Sequence, residues 1–484
     1  MGLTLDKTND INFVIFVLLL PFCALGYFYN IFSAWASNAS LYPLLLGLVL
    51  IFINSLIKNK LTLTKELNYL IIFSFIVLIG TFIMSLIIAN LISIQYGNYE
   101  DVYISAIKKI FTFSIVFLTV YYTALSTTRL GYKLVINILY FSLMLILIYG
   151  YIQVFAILFP FSLWYKIYIS IQHYINFGWV GLNEGFNKIP QIYIYGGRVI
   201  LTTQEPSVAG YLVTTLYYPF ILSSLINGYS IYKSKLLGFP IEFILFIFTL
   251  PIVFFTFSTS LYVIFIILSF SSAYLYLNNL SLRKLIKFLF YFMLFIIIVM
   301  LIYINLPKDY ISNISQALEK IFLSGKGKGS AQTRYGFMYA GIVEFLHYPI
   351  FGVGVGNSKY FFPKYIPIWA YNSEVISYLS TGQALGPKGF WSWLLGETGI
   401  LGSLTFFLFL YSLITRYFSK AYKNSKDKIY LKHAFLLFLI SFFLQGFNSA
   451  ALFFIWQWAI FGFFIGFLYY DKSKSSRTKY ETIH

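Results

Sequence analysis

The chain is short of the residues from which most enzymes build reactive centres. Its 484 residues include one cysteine, Cys23, and four histidines. One cysteine excludes an internal disulfide framework and a thiolate metal site within a single chain. The histidines are scattered, with no HExxH or similar spacing to set two imidazoles on one helix face, so no resident metal is expected. No cofactor motif is present either. Charge is scarce: 10% of residues are charged, with 16 carboxylates against 34 basic groups, of which six are arginine.

What fills the chain is apolar. Hydrophobic residues make up 59% and aromatics 22%, and mean hydropathy is +0.78. A soluble chain of this composition could not cover its own core. Apolar runs recur at close to 20 residues, the length at which a helix crosses a hydrocarbon layer. The sequence predicts spans at about 11–29, 41–57, 69–94, 110–126, 134–160, 207–228, 238–256, 259–278, 285–305, 389–415, 433–447 and 449–470. The division of 238–278 at Phe257 and Ser258 is the least marked of these. The expected fold is all-α: a polytopic integral membrane protein with about twelve transmembrane helices in one domain over residues 1–484. The first span lacks a cleavage signal, since Asp6 and Asp10 flank Lys7 and no small residues precede Cys23, and reads as a retained helix.

Lysine and arginine fall in alternate connections, as the positive-inside rule requires. Lys58, Lys60 and Lys65, then Arg129 and Lys133, Lys233 and Lys235, Arg283 to Lys287, Arg416 to Lys432 and the C-terminal tail share one side. That side holds 21 of the 34 basic residues and 7 of the 16 carboxylates. The pattern predicts a membrane protein with both termini in the cytoplasm. The net charge of +18 then reflects topology and attraction to anionic membrane lipids, and nucleic acid is not an expected partner.

Two connections on the other side are long, about 161–206 and 306–388, and rich in tyrosine and tryptophan. These large extracytoplasmic loops are expected to contain short helices and to carry the function. Within 330-SAQTRYGFMYAGIVEFLHYPIFGVGVGN-357, Ser330 starts a helix that Pro349 stops. Arg334, in its first turn, Met338, Gly341 and Phe345 share a helical face, and Gly341 permits a close approach. The glycine runs 325-GKGKGS-330 and 352-GVGVGN-357 do not match a phosphate loop.

Four arginines lie in cytoplasmic segments, leaving only Arg198 and Arg334 outside, one in each large loop. Arginine presents a planar fork suited to phosphate or carboxylate, so two outward arginines point to an anionic ligand. Alternatively Arg198 pairs locally with Glu205, and Arg334 decorates a surface helix. Glu205, where the first loop meets an apolar run, could serve as a base or as a helix N-terminal charge. His347 reads as a capping or packing residue, and Glu397 as a base or a packing carboxylate. Outer aromatics such as Trp164, Tyr165, Trp179, Trp369 and Tyr371 could stack on a ligand, though core or interface roles suit them as well.

The order of 198-RVILTTQEPS-207, 256-TFSTSLYVIF-265, 334-R, 347-HYPIFGVGVGN-357 and 391-WSWLLGETGILG-402 resembles the O-antigen ligase/polymerase superfamily over about residues 198–402. The resemblance implies a GT-C-like, metal-independent glycosyltransferase. It would act at the periplasmic face on oligosaccharides carried by undecaprenyl pyrophosphate, with a chain-length regulator as a further partner. It implies that Arg198 and Arg334 grip the pyrophosphate; the attacking hydroxyl would need a base, and Glu205, seven residues after Arg198 at the loop–helix junction, is the carboxylate placed for it. The ligase branch carries a histidine in the late outer loop, whereas 371-YNSEVISYLSTGQALGPKGFWSWLLGE-397 has none. Glu374 stands roughly in its place. That departure favours a polymerase over a ligase. A lipid-linked oligosaccharide flippase is the remaining alternative, and internal repeats and mid-membrane charges, its usual marks, are missing.

Overall fold

The computed structural model describes residues 2–25, 38–58, 64–96, 100–175, 192, 196–232, 235–236, 238–277, 330–381, 386–419, 425–448 and 454–481. The described chain is a bundle of long helices with a small helical module at one end. In order the helices are α1 (Gly2–Leu19), α2 (Leu41–Lys58), α3 (Lys65–Tyr96), α4 (Glu100–Leu130) and α5 (Tyr132–Leu158). Next come α6 (Leu163–Ile175), α7 (Pro206–Asn227), α8 (Ile241–Phe255) and α9 (Thr259–Leu277). The module holds α10 (Ser330–His347), α11 (Ser358–Tyr365) and α12 (Ser373–Thr381). The chain then returns through α13 (Phe390–Phe418), α14 (Lys426–Gln445) and α15 (Ile455–Glu481).

Five helices (residues 65–90 of α3, α5, α7, α9 and α13) are long and apolar enough to cross a membrane. Shorter apolar helices cover Leu41–Ile57, Ile241–Phe255 and Ile455–Tyr470. Every sequence-predicted span but one overlaps a helix; that one, 285–305, lies outside the described residues. The division near Phe257 is real: α8 ends at Phe255, Phe257 has a positive φ of 45°, and α9 begins at Thr259.

The first span needs correcting. Its helix begins at Gly2 and ends at Leu19, rather than covering 11–29. Pro21 has no N–H with which to continue the helical ladder, and the chain turns aside to pair with a distant loop. Thr202 donates its hydroxyl to the Pro21 carbonyl at 2.6 Å, and Gln204 donates to the Cys23 carbonyl at 2.6 Å. The Cys23 N–H donates to the Thr202 carbonyl at 3.2 Å.

The two ends of the bundle differ chemically. At one end Arg129 pairs with Asp6 and Asp10, Arg416 with the buried Glu66 at 3.3 Å, and Lys133 with Asp427 at 3.9 Å. Tyr469 also donates to Glu66, at 2.7 Å. These residues come from connections and termini that the charge pattern assigns to one side. At the opposite end α10 packs on α13, and residues 196–205 meet the α8–α9 turn. Large faces of the bundle are apolar and exposed, including Ile72, Phe75, Ile79 and Phe82 of α3 and Ile400, Leu404, Phe407 and Tyr411 of α13. Such stripes suit lipid rather than water.

Candidate active site

The loop from Gly196 to Glu205 is held from three sides. Gly196 and Gly197 take positive φ values of 69° and 72°, and so does Leu201, at 51°. A side chain in that region is strained, and Gln153, buried in α5, holds Leu201 there. Gln153 Oε1 accepts from the N–H groups of Ile200 and Leu201 at 3.1 and 2.9 Å, while its Nε2 donates to the Leu201 carbonyl at 2.9 Å. Arg198 braces the second side. Its Nε donates to the Thr256 carbonyl at 2.7 Å and its Nη2 to the Phe257 carbonyl at 2.9 Å. Carbonyls at a helix C-terminus lack intrahelical partners and carry partial negative charge, so a cation belongs there. The third side is the Pro21–Cys23 segment.

The loop delivers Glu205 to the N-cap of α7, where backbone φ is −154° and Pro206 opens the helix. Ser207 donates its hydroxyl to Glu205 Oε1, and Thr203 donates to the Glu205 carbonyl at 3.0 Å. One turn on, the Tyr211 hydroxyl donates to Ser260 Oγ at 3.0 Å and also meets the Arg334 guanidinium. Ser260 contacts Ser258 at 3.2 Å. A continuous polar line therefore runs from Arg198 through the 256–258 turn, Ser260 and Tyr211 to Arg334.

Arg334, Glu205, Glu374 and Lys388 form one charged cluster, contributed by four separate segments. Burial works against the charge on Arg334, but Tyr211, Glu205 and Glu374 outweigh it and raise its pKa above the ordinary arginine value. Lys388 shifts the other way. Burial lowers its pKa, Glu374 and Glu205 oppose the fall, and Arg334 adds to it. The Lys388 ammonium sits 4.5 Å from the ring centre of Tyr378 and 5.5 Å from that of Phe337, an aromatic seat that partly replaces water. Glu374 is held at both oxygens, by Tyr378 at 2.9 Å and Thr333 at 3.0 Å. Two cationic side chains and two carboxyl groups thus meet in one place, with the cations held by the fold itself.

Below this cluster α13 is broken. Gly399 takes φ 63° and ψ −164°, and the turn after α10 fills the gap. Val353 N–H donates to the Gly396 carbonyl at 2.8 Å, Gly354 N–H to the Glu397 carbonyl at 3.0 Å, and Ile400 N–H to the Pro349 carbonyl at 2.7 Å. Gly352, Gly354 and Gly356 all have positive φ. Glu397 Oε2 accepts from the Gly356 N–H and from Trp393 Nε1, each at 2.7 Å. Glu397 is therefore a buried clasp for the glycine turn, and it lies eight residues into α13 rather than at the start of a helix. Nearby Glu344 is fully buried and accepts from Ser358 at 2.8 Å. Burial pushes its carboxyl up to about 9, Glu397 adds to the rise and Ser358 opposes it. It is a neutral acid at neutral pH.

The structure gathers Arg334, Glu205 and Glu374, sets Arg198 beside them as a brace, and gives Glu397 to the turn. His347 stacks on Tyr365 at 4.9 Å and its Nδ1 lies 2.9 Å from the Val343 carbonyl, the packing role its sequence position suggested. The buried seam of α10 is Thr333, Phe337, Ala340 and Glu344, one residue out of phase with the face of Arg334 and Met338. Arg334 is the fifth residue of the described helix rather than part of its first turn. Gly341 does permit a close approach: a Cβ there would meet the Ser392 carbonyl at 3.1 Å. Of the outer aromatics, Trp164 packs on Phe155 and Trp369 on Tyr339, while Trp179 lies outside the described residues. Sequence reading passed over Tyr211, Lys388 and Gln153. Lys388 stands in 386-GPKGF-390 as an outer lysine with no motif around it, and Gln153 is a lone amide within an apolar run.

Apolar spanning helices carrying a charged cluster at one end define a helical membrane protein with a site at its surface. Residues 244–407 match the family described as O-antigen ligase, so the resemblance read from the sequence holds over that segment. The match takes in the α8–α9 turn, Arg334, Glu374, Lys388 and Glu397, while Arg198 and Glu205 precede it. No curated protein matches the chain significantly.

Proposed function

We propose that this protein is a polysaccharide polymerase of the cytoplasmic membrane. It transfers a growing glycan from undecaprenyl pyrophosphate onto a new lipid-linked repeat unit at the outer face. One observation carries the reading: Glu205 and Arg334, 129 positions apart, share a cluster with Glu374 and Lys388 at the less basic end of the bundle. In the reaction the bond from the anomeric carbon to the pyrophosphate oxygen breaks, and a new bond forms to the acceptor hydroxyl oxygen. The hydroxyl proton passes to Glu205. The charge gained by the pyrophosphate faces Arg334 and Lys388, which stabilise it more as the bond lengthens. Arg198 acts through the loop, holding Glu205 in register.

The test is glycan ladder formation in a host lacking its own polymerase, with membrane levels checked. Arg334→Lys and Glu205→Gln should yield single-repeat glycan only, and Lys388→Met a ladder at least tenfold weaker. Arg198→Lys keeps the charge but cannot reach both carbonyls, so it should lower the melting temperature in detergent as well as ladder yield. Full ladders from Arg334→Lys and Glu205→Gln would remove the cluster from the mechanism. A ligase reading is supported by the description of the matched family. It shares the donor chemistry, and glycan transferred once to a lipid acceptor without lengthening would favour it. Movement of lipid-linked saccharide with no transfer would favour a flippase.

A further inference from the structure

Helix α10 belongs to a connection, yet its outward face is apolar. Tyr335, Tyr339, Ile342 and Leu346 follow one another at four, three and four residues, and all are exposed, Leu346 at 68%. The stripe continues at Ile350, exposed at 58%. It does not stop at the module: the Ile350 carbonyl accepts from Leu401 N–H at 3.2 Å, beside the exposed Ile400 and Leu404 of α13. The apolar surface of α10 is therefore continuous with that of a spanning helix.

Its height supports the same conclusion. Glu66 and Arg416 pair at the basic end, which the charge pattern reads as the inner membrane surface. Val355 N–H donates to Thr81 Oγ1 at 3.0 Å and Asn357 Nδ2 to Ser85 Oγ at 3.1 Å. At 1.5 Å per residue these contacts stand roughly 22–28 Å above Glu66. Counting up α13 from Arg416 to Glu397 also gives about 28 Å. The hydrocarbon layer is about 30 Å thick, so the end of α10 and its turn lie at the layer's outer edge. Side-chain chemistry is graded to match, with tyrosines at the start of the stripe, Trp369 packed on Tyr339, and aliphatic residues towards Ile350. Aromatic residues with a polar edge suit headgroup depth, and aliphatic ones the acyl region below.

We infer that α10 is an interfacial helix, lying in the outer leaflet with Tyr335, Tyr339, Ile342, Leu346 and Ile350 against lipid and with Ile350 deepest. The module is then half-submerged rather than standing in water. This rests on the membrane topology and not on the glycan-transfer reading, so the two can fail separately.

Site-directed spin labelling tests it on the full chain in phosphatidylcholine–phosphatidylglycerol vesicles. The native thiol, Cys23, is buried, and unmutated protein provides the labelling background. Nitroxides are placed singly at Ile342→Cys, Leu346→Cys and Ile350→Cys, with Phe407→Cys as the mid-span lipid reference and Ser380→Cys as the water reference. Collision rates with oxygen and a water-soluble nickel chelate are read by power saturation. The three sites should fall between Ser380 and Phe407 in their oxygen-to-nickel ratio, rising towards Ile350, where it should be at least fivefold above that at Ser380. Nickel access equal to that at Ser380 would place the face in water, and shielding from both reagents would mean that protein covers it. Either result overturns the inference, and agreement among three separate positions guards against one misfolded variant.

Discussion

At the residue scale, the two outward arginines serve different ends. Arg334 reaches side chains that could work on a substrate, whereas Arg198 has its guanidinium committed to two backbone carbonyls. Their shared chemistry was legible in the sequence, because a planar cation suits either partner; that Arg198 took backbone carbonyls depended on a turn 58 residues away, and Arg334's partners on the packing of other segments. Glu344 was less legible, since nothing local marks a carboxyl that will be buried against Glu397 and Ser358. Its raised pKa fixes the sign of a pH effect. The folded protein keeps this proton up to about pH 9, while the unfolded chain releases it near 4.5. This group's contribution therefore favours folding most below the unfolded pKa and declines as pH rises towards 9. Glu344→Gln mimics the neutral acid at every pH. Thermal melts in detergent at pH 6 and pH 9 should show a smaller fall for Glu344→Gln than for the native chain. Equal falls would mean that Glu344 is not the group responsible.

At the element scale, the informative feature is the break in α13. Hydropathy reads 389–415 as one span, and that reading is right in extent, since α13 covers Phe390–Phe418. It could not show that Gly399 departs from helical geometry to admit the 349–356 turn, because glycine is compatible with both conformations. A Cβ at Gly399 would meet Gly352 N and the Ile350 carbonyl, each at 2.4 Å, in a backbone region closed to other residues. Gly399→Ala should destabilise the protein by roughly 3 kcal/mol, seen as a lower melting temperature and faster proteolysis of the module. Gly386, whose added Cβ would meet nothing within 4 Å, provides the neutral control. An unchanged melt for Gly399→Ala would mean that the turn is not locked into the helix. The end of α1 was misjudged for a related reason: apolar residues mark a segment's burial, but where Pro21 turns it away is set by the partners it finds in Thr202 and Gln204.

At the scale of the whole molecule, basic residues from distant connections converge on one end of the bundle, as their alternation along the chain predicts. That Arg129, Lys133 and Arg416 share one end was thus legible from spacing and charge alone. Assembly of the cluster was not, since Glu205, Arg334, Glu374 and Lys388 are joined only by the packing of four segments. Opposed ends give a direct expectation. In intact spheroplasts a membrane-impermeant maleimide should label Ser380→Cys at once and Lys426→Cys only after permeabilisation. The reverse pattern would invert the protein in the membrane and put the site in the cytoplasm.

The brace made by Arg198 has an evolutionary consequence. Its acceptors are main-chain oxygens, which every residue supplies, so Thr256 and Phe257 can be exchanged without removing them. Selection on this contact falls on one partner alone. Position 198 is expected to resist change while its counterparts drift, and methods that find contacts from paired substitutions should be blind to the link that ties the first outer loop to the α8–α9 turn.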